Sequence, residues 1–295
     1  MEDKPRTQAS KDMKISGRIR LFKYISFTAL NSLIESGAFK VTYRTDCNDP
    51  QEMLEYGVDP KCGGLYSERG FLSFSKNGNS APMWGNYAEH YKGACIEFEF
   101  EYLDPAMGNS DLTDERQILN DVQTLKEMGY EVNYLNAKHS TCLPSKISRL
   151  LISCKYSENH FRVPPPPCSE TEEEALRRAE DFLWAVTCTK DKDWAYEEEV
   201  RMLVSNKQDI VSILKKESKK IYLTKLPTPY IKKIILGPLS EHNSDDIALQ
   251  IEKKRRERPE HEVYIPECVD VLKAKFSKYK YKLNYTNEEE IDILD

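Results

Sequence analysis

The sequence has no long run of apolar residues. No stretch approaches the roughly 20 apolar residues that a membrane-spanning helix needs. Residues 1–20 are charged and contain no apolar segment of the kind found in a secretory signal peptide. We therefore expect neither a membrane span nor export, and we predict a cytoplasmic protein with no membrane partner.

The sequence also has no Cys-x-x-Cys pair and no pair of histidines at the spacing of a zinc site. Its eight cysteines are scattered along the chain: Cys47, Cys62, Cys95, Cys142, Cys154, Cys168, Cys188 and Cys268. This distribution is typical of reduced thiols in an intracellular protein. A structural zinc site is therefore not expected.

An excess of basic charge is missing too. The chain has 43 Lys and Arg against 49 Asp and Glu, which gives a formal net charge of -6. Such a protein is a poor candidate for nonspecific binding to nucleic acid, although a local basic patch is compatible with it. The basic run at residues 253–256 is predicted to end a helix, where positive charge opposes the helix dipole.

What is present is the composition of a globular protein, with 39% hydrophobic and 31% charged residues. Strands and helices mix without regular alternation, so we predict an α+β fold of mixed, mainly antiparallel sheets with flanking helices. We expect a flexible tail at residues 1–18, one domain at 19–286 and an acidic tail at 287–295. Residues 139–171, which include four consecutive prolines, are predicted to be an insert or connector.

Periodicity predicts the individual elements. The predicted strands are 20–25, 39–43, 71–75, 94–100, 131–135, 197–204, 221–223, 231–236, 263–265 and 279–283. The predicted helices are 28–36, 83–92, 114–128, 172–186, 208–219 and 243–257.

Two stretches carry candidate chemistry. In the first, residues 71–100, the pattern predicts a strand, a short amphipathic helix ended by Gly93, and a second strand. This arrangement is typical of a pocket wall, because polar residues are held between two apolar strands and one helix. These polar residues are Ser73, Ser75, Asn86 and His90.

The second stretch is residues 190–204. On a strand, Glu197, Glu199 and Arg201 point the same way. One interpretation is a solvated strand face with a surface ion pair of little energetic value. The other is a catalytic carboxylate with a positioning carboxylate and an arginine.

Several motifs in this chain resemble, in the same order, those of DUF2971, a mostly bacterial family of unknown function. The motifs are Leu21-Phe22-Lys23-Tyr24, Asn48-Asp49-Pro50, Phe74-Ser75, Met83-Trp84-x-x-Tyr87-Ala88, Trp194-x-Tyr196-Glu197-x-Glu199-x-Arg201 and Ile234-Ile235-Leu236-Gly237. The resemblance covers about residues 20–285. The family usually carries an arginine after the lysine–tyrosine pair, where this chain has Ile25.

The order of these elements is also similar, more remotely, to that of ADP-ribosyltransferases. That resemblance implies an ADP-ribosyltransferase-like core and NAD as the substrate. It implies that Ser73 and Ser75 support the nicotinamide pocket. It also implies that Glu197 and Glu199 form the Glu-x-Glu pair, with Glu199 as the catalytic carboxylate.

The same resemblance places Lys23 or Tyr24 at the first-strand position that holds the nicotinamide ribose, and it places Tyr87 where it stacks on the nicotinamide ring. Trp84 is expected to line the aromatic pocket, although tryptophans are more often core residues. The full set of expected binding residues is Lys23, Tyr24, Ser73, Ser75, Trp84, Tyr87, His90 and Arg201.

These patterns lead to an NAD-using ADP-ribosyltransferase or NAD glycohydrolase as the predicted function, in a bacterial stress or phage-defence setting. The expected partners are a small nucleotide ligand and a macromolecular acceptor; the acceptor and the oligomeric state are left open. One alternative is a non-catalytic sensor whose aromatic pocket holds a small ligand or nucleotide. The other is a nuclease that uses Glu197, Glu199 and Asp49 around a magnesium ion.

Overall fold

The computed structural model describes residues 15–43, 46–47, 69–103, 122–135, 150–157, 187–205, 210–216, 219–226, 230–257, 269–276 and 283–284. The strands are β1 (Ile15–Ile25), β2 (Ala38–Lys40), β3 (Arg69–Ser75), β4 (Ala94–Leu103), β5 (Val132–Leu135), β6 (Leu150–Ser153), β7 (Lys155–Ser157), β8 (Thr189–Asp191), β9 (Glu199–Ser205), β10 (Ile210–Lys216), β11 (Lys219–Lys225), β12 (Ile231–Leu236), β13 (Asp270–Lys273), β14 (Lys275–Phe276) and β15 (Leu283–Asn284). The helices are α1 (Phe27–Ser36), α2 (Ala81–Tyr87) and α3 (Ser244–Arg256), with a 3-10 helix at Lys192–Glu197 and a helical segment at 122–127.

The main sheet is built on a long antiparallel pair between β1 and β4, in which Tyr24 lies opposite Cys95. Its strand order is β1-β3-β9-β6-β5-β4-β12-β13. Because β1 also pairs with β4, the first six strands of that order close into a ring. Strand β4 is long enough to pair with β5 and β12 as well as with β1, because β5 pairs with it at Tyr102 and Leu103 while β12 pairs with residues 94–98.

The main hydrophobic core lies against this sheet. Along β4, glutamates alternate with the apolar residues Ile96, Phe98 and Phe100. Because side chains on a strand point alternately to its two faces, these three apolar side chains lie on the same face. Helix α1 adds Leu30, Leu33 and Ile34 to the same cluster, and α3 adds Ile247 and Ile251. Mainly antiparallel sheets with few helices confirm the predicted α+β class.

The helix boundaries follow recognised capping chemistry. Helix α1 begins after Ser26, whose hydroxyl accepts a hydrogen bond from the Ala29 N–H, and it ends at Gly37, which has a left-handed φ of 66°. Helix α3 begins after Asn243, one of the two caps that the sequence suggested beside Ser244, and its basic end pairs with Glu35, Glu252 and Glu257. Both predicted helices are confirmed, but the N-cap of α1 is Ser26 and not Thr28, the residue that the sequence suggested.

The prediction of a helix at 208–219 is wrong. This stretch contains β10 and the start of β11, which pair as an antiparallel ladder, and β11 also pairs with β2. Ile210, Ile213 and Leu214 have the spacing of a helical stripe, but the sequence is also rich in β-branched residues. Pairing with a neighbouring strand stabilises the strand conformation here over the helix that the spacing suggested.

Two further boundaries differ from the sequence prediction. Strand β1 begins at Ile15, inside the stretch expected to be a tail, and it pairs with the far end of β4. Residues 150–157, expected to belong to an insert or connector, form β6 and β7, and β6 lies between β5 and β9 in the main sheet. Leu150, Leu151 and Ile152 are completely buried, so this segment is part of the core. The proline run and the predicted elements at 172–186 and 263–265 lie outside the described residues.

Helix α2 is shorter than predicted. It ends at Tyr87, and Glu89, His90 and Tyr91 follow with positive φ angles. Gly93 therefore does not cap the helix. It is required for a close approach instead, because a Cβ at this position would lie 2.3 Å from the backbone oxygen of Ile25.

Candidate functional site

The antiparallel register of β3 and β9 brings the two candidate stretches together. Ser73 lies opposite Arg201, and Ser75 lies opposite Glu199. Since side chains alternate along both strands, these four residues share one face of the sheet. The core residues Leu72, Phe74, Val200 and Met202 occupy the other face.

Glu197 and Glu199 reach the same site by a different route from the one predicted. Glu197 is the last residue of the 3-10 helix Lys192–Glu197, and β9 begins only at Glu199. Between them, Glu198 adopts a left-handed conformation with φ of 45°, and its exposed side chain accepts a hydrogen bond from Asn77. The interpretation that both glutamates lie on one strand is therefore wrong, but the tight turn still directs both carboxylates inward.

Glu199 is held by a buried two-pronged ion pair. Arg201 donates from Nε to Oε1 and from its terminal nitrogen to Oε2 of Glu199, both at 3.0 Å. Arg201 is 1% exposed, its other nitrogen donates to the Thr187 carbonyl, and its guanidinium lies 4.1 Å from the centroid of the Phe71 ring. The Ser73 side chain also hydrogen bonds to Glu199.

The pKa of Glu199 is shifted by this environment. Burial raises the pKa, but the charge of Arg201, followed by that of Lys190, outweighs burial and lowers the pKa of Glu199 to about 2. Glu199 is therefore ionised at neutral pH.

Lys190 is a site residue that the sequence interpretation missed. It is 7% exposed, its Nζ donates to Oε2 of Glu197, and it lies 3.0 Å from Oε2 of Glu199. One ammonium group thus bridges both carboxylates. No sequence periodicity signalled this role, because Lys190 is the buried middle residue of the three-residue strand β8, between two half-buried neighbours.

Glu197 has a different environment from that of Glu199. One carboxylate oxygen accepts a hydrogen bond from the Tyr87 hydroxyl at the end of α2, and the other accepts from Lys190. Burial raises the pKa of Glu197 above its ordinary value, and this effect exceeds the opposing effect of Lys190. Two neighbouring carboxylates therefore have pKa values shifted in opposite directions.

Lys23, on β1, supplies a third positive group. Its Nζ donates to the Ser73 carbonyl at 2.9 Å and lies 5.5 Å from the centroid of the Phe74 ring. Burial lowers the pKa of Lys23 to about 8, against the opposing charge of Glu199. Within the described ranges, it forms no ion pair with a carboxylate.

These side chains line a cavity of about 540 Å³. One wall is charged, with Lys23, Lys190 and Arg201 against Glu197 and Glu199. Strands β2, β10 and β11 contribute apolar lining residues together with Lys40: Ala38, Phe39, Leu214, Ile221 and Leu223. A cavity of this size lined by both charged and apolar side chains suits a ligand that has both a planar and an anionic part.

The structure brings together most of the residues predicted for the site. The following line the cavity: Lys23, Tyr24, Ser73, Ser75, Tyr87, Glu197, Glu199 and Arg201. Trp84 and His90 are not among its lining residues. Trp84 is completely buried beside Tyr24, with ring centroids 5.4 Å apart, and His90 is exposed in the turn after α2.

Trp84 is therefore expected to act through stability. Its Nε1 donates to the Gly78 carbonyl, and its ring fills a cluster with Phe22, Tyr24 and Met83. We expect Trp84→Ala to lower the free energy of unfolding by about 3–5 kcal/mol, as large aromatic truncations do. Urea denaturation followed by circular dichroism measures this; Leu249→Ala, at a residue 69% exposed, is the control. Unchanged unfolding of Trp84→Ala would contradict the core role.

A metal site lacks support in the described ranges, where no group of three or more His, Cys, Asp or Glu side chains is placed to hold an ion. Asp49, a candidate additional ligand in the magnesium alternative, lies outside these ranges. Among the helices of the described residues, none is long and apolar enough to cross a membrane.

Comparison with known protein families places part of this site in a described family. Residues 83–202 match the family model described as "Protein of unknown function (DUF2971)", which supports the predicted resemblance over this stretch but not over the whole of residues 20–285. The matched stretch includes Tyr87, Lys190, Glu197, Glu199 and Arg201. No curated protein and no solved structure matches the chain. The resemblance to ADP-ribosyltransferases stays a prediction.

Proposed function

We propose that the protein cleaves the bond between nicotinamide and ribose in NAD, as an ADP-ribosyltransferase or an NAD glycohydrolase. The observation that carries this proposal is the pair of carboxylates on one cavity wall, whose pKa values are shifted in opposite directions. Paired carboxylates with divergent pKa values are typical of sites where one group stays charged and the other transfers a proton.

Cleavage of the bond between nicotinamide and ribose needs one carboxylate that stays charged and one that accepts a proton. When the bond between the ribose C1′ and the nicotinamide nitrogen breaks, the bonding electrons leave with nicotinamide, and C1′ becomes a cation-like centre. Water or an acceptor hydroxyl then forms a bond to C1′ and releases a proton. Negative charge beside C1′ stabilises this transition state, and a nearby base takes the proton.

The geometry supports a division of roles that differs from the sequence prediction. Both oxygens of Glu199 are engaged by Arg201, so this carboxylate is suited to fixing the charged wall. Glu197 is held by a tyrosine hydroxyl and one lysine, and its raised pKa suits a proton acceptor. We therefore propose Glu197 as the group that contacts the reacting ribose, and Glu199 as the residue that positions Lys190 and Arg201.

The remaining cavity residues match the parts of NAD. The apolar lining residues Leu214, Ile221 and Leu223 offer contact for a planar base. With Lys40 and Asp46 included, four cationic side chains line the cavity against three carboxylates, and this excess favours an anionic diphosphate. The positive charge of Lys23 is less balanced by nearby carboxylates than those of Arg201 and Lys190, because the latter two both contact Glu199.

Purified protein incubated with NAD tests the proposal, with free nicotinamide measured by chromatography in the presence and absence of a chelator. We expect release that survives the chelator and is lost in Glu197→Gln. Release that requires a divalent metal would favour the nuclease class. Saturable NAD binding with no release, both alone and with cell extract as a source of acceptor, would favour the non-catalytic sensor.

The affinity for NAD is expected to depend on pH through Lys23. Below pH 8 the ammonium form predominates and attracts the diphosphate, while above that pH the neutral form predominates. One pH unit above the pKa only about a tenth of Lys23 stays charged, so we expect affinity to fall about tenfold there. Titration calorimetry across this range measures the effect.

Lys23→Arg is the matched control for that titration, because arginine stays charged throughout. Its affinity should stay flat where that of the natural protein falls. Parallel curves for the two proteins would exclude Lys23 as the titrating contact.

A further inference from the structure

We propose that Lys23 is a covalent binding site for an aldehyde that also carries a planar group and an anionic group. The side-chain nitrogen of Lys23 would hold such a ligand as an imine. Lys23 lies on β1, is half-buried and lines the cavity. A lysine forms an imine only in its uncharged form, so the groups around its nitrogen decide whether it reacts.

The other two lysines that line the cavity are each held by carboxylates. Lys190 contacts both glutamates of the charged wall. Lys40, at an exposed position, lies 3.2 Å from a carboxylate oxygen of Asp46. A carboxylate partner stabilises the ammonium form of a lysine, so neither of these amines is readily available as a nucleophile.

Lys23 donates instead to a neutral acceptor, the backbone carbonyl of Ser73, at 2.9 Å. Its nitrogen lies 5.5 Å from the centroid of the Phe74 ring, and within the described ranges it forms no ion pair. An uncharged amine has two hydrogens and one lone pair. It can therefore keep its hydrogen bond to Ser73 while the lone pair stays available to a ligand.

The divergence of two strands gives Lys23 this position. The register of β1 and β3 consists of one pair, Phe22 opposite Ser75. Immediately after that pair, Lys23 joins the two strands through its side chain, because its nitrogen reaches the carbonyl of Ser73. Both strands contribute lining residues to the cavity, so the amine lies where a bound ligand can reach it.

Burial acts in the same direction as the neutral hydrogen-bond partner. It lowers the pKa of Lys23 to about 8. The opposing charge is that of Glu199 on β9, which Arg201 and Lys190 already balance. At pH 7 about a tenth of Lys23 is therefore uncharged, against less than about a thousandth of a lysine with the ordinary pKa.

Imine formation needs no oxidant and no further reactant. The lone pair of the amine nitrogen forms a bond to the aldehyde carbon, and the π electrons of the carbonyl move to its oxygen. Both hydrogens of the amine are then transferred to that oxygen, which leaves as water while the C=N bond forms. Ile221 and Leu223 offer contact for the planar group, and the excess of cationic side chains in the cavity favours the anionic group.

Pyridoxal 5′-phosphate tests the inference, because it combines an aldehyde, a planar ring and a phosphate. The full chain is incubated with an equimolar amount at pH 7, the imine is fixed by borohydride reduction, and the modified peptides are identified by mass spectrometry. We expect the adduct at Lys23. An adduct distributed over exposed lysines such as Lys40, Lys76 and Lys232, with Lys23 unmodified, overturns the inference.

The pH dependence of labelling distinguishes Lys23 from an ordinary lysine. The initial rate at Lys23 should rise about fivefold between pH 7 and 8, about twofold more by pH 9, and then level off. An ordinary lysine gains about tenfold in each pH unit of this range. A tenfold gain per unit at Lys23 itself would show that its amine is not activated by the cavity and would overturn the inference.

Lys23→Arg and Lys40→Arg are matched variants, because each keeps the positive charge and removes one amine from the cavity. We expect Lys23→Arg to lose the adduct and Lys40→Arg to keep it, and the opposite result contradicts the assignment. Circular dichroism checks that both variants fold. The peptide map of the natural protein identifies the modified residue directly, so the test does not depend on Lys23→Arg being folded.

Pyridoxal, which lacks the phosphate, tests the anionic part of the ligand class. We expect it to label Lys23 at least about tenfold less, the loss that corresponds to one hydrogen bond to a charged group. Equal labelling by the two aldehydes excludes an anionic group from the class.

The inference is independent of the proposed function, because it uses the uncharged form of Lys23 and not its charge. Nicotinamide release from NAD is recorded on the same preparations before labelling. NAD cleavage without an adduct at Lys23 overturns this inference alone. An adduct at Lys23 without nicotinamide release, both alone and with cell extract, overturns the proposed function alone.

Discussion

Glu199→Gln is expected to lower the free energy of unfolding by about 3–5 kcal/mol, the usual cost of removing one partner from a buried ion pair. The glutamine cannot balance Arg201, which is 1% exposed and cannot release its proton. Lys190 would keep Glu197 as its partner. The loss therefore comes mainly from an arginine left buried beside a neutral group, and denaturant unfolding measures it.

The same substitution changes the pH dependence of stability. Because the pKa of Glu199 is lowered to about 2 in the folded protein, its stabilising effect is present above its unfolded pKa of about 4.5. It is lost as the pH falls from there towards 2. We expect the natural protein to lose stability over this acid range and Glu199→Gln to show a smaller slope.

Two comparisons make the test specific. Glu198→Gln makes the same chemical change at the adjacent exposed residue, and we expect less than about 1 kcal/mol there. Combining Glu199→Met with Arg201→Met removes both charges, and it should recover much of the lost stability if unpaired burial is the cause. A Glu199→Gln protein that unfolds like the natural one would contradict the whole argument.

Strand alternation was enough to predict part of the site. Ser73 and Ser75 on one strand, and Glu199 and Arg201 on another, follow from period two in each segment. What alternation cannot supply is the pairing of the two segments, which are separated by more than a hundred residues. The structure adds the register that makes Ser73 face Arg201.

Other parts of the site had no local signal. Glu198 adopts a left-handed conformation that nothing in its side chain favours, and the turn depends on surrounding contacts such as the one with Asn77. Lys190 gains its role from two carboxylates that fold against it. Sequence periodicity does not predict long-range contacts of this kind. For the same reason the helix predicted at 208–219 was wrong, because β10 is stabilised as a strand by pairing with β11.

Glu197→Gln is expected to separate catalysis from folding. We expect the rate of nicotinamide release to fall about 100-fold or more, the usual contribution of a general acid or base. Stability should change in the opposite direction from Glu199→Gln. A carboxyl group whose folded pKa is raised destabilises the protein as the pH rises through its unfolded pKa, so a neutral amide relieves that cost at neutral pH.

The two glutamates thus make opposite predictions for one pair of measurements, thermal unfolding and nicotinamide release. Glu197→Gln should unfold at the same temperature as the natural protein or a higher one, and be inactive. Glu199→Gln should unfold at a much lower temperature and lose activity with its structure. Glu198→Gln, between them, should resemble the natural protein in both. If Glu197→Gln keeps full activity while Glu199→Gln stays folded and inactive, Glu199 is the catalytic carboxylate and the roles assigned from the geometry are reversed.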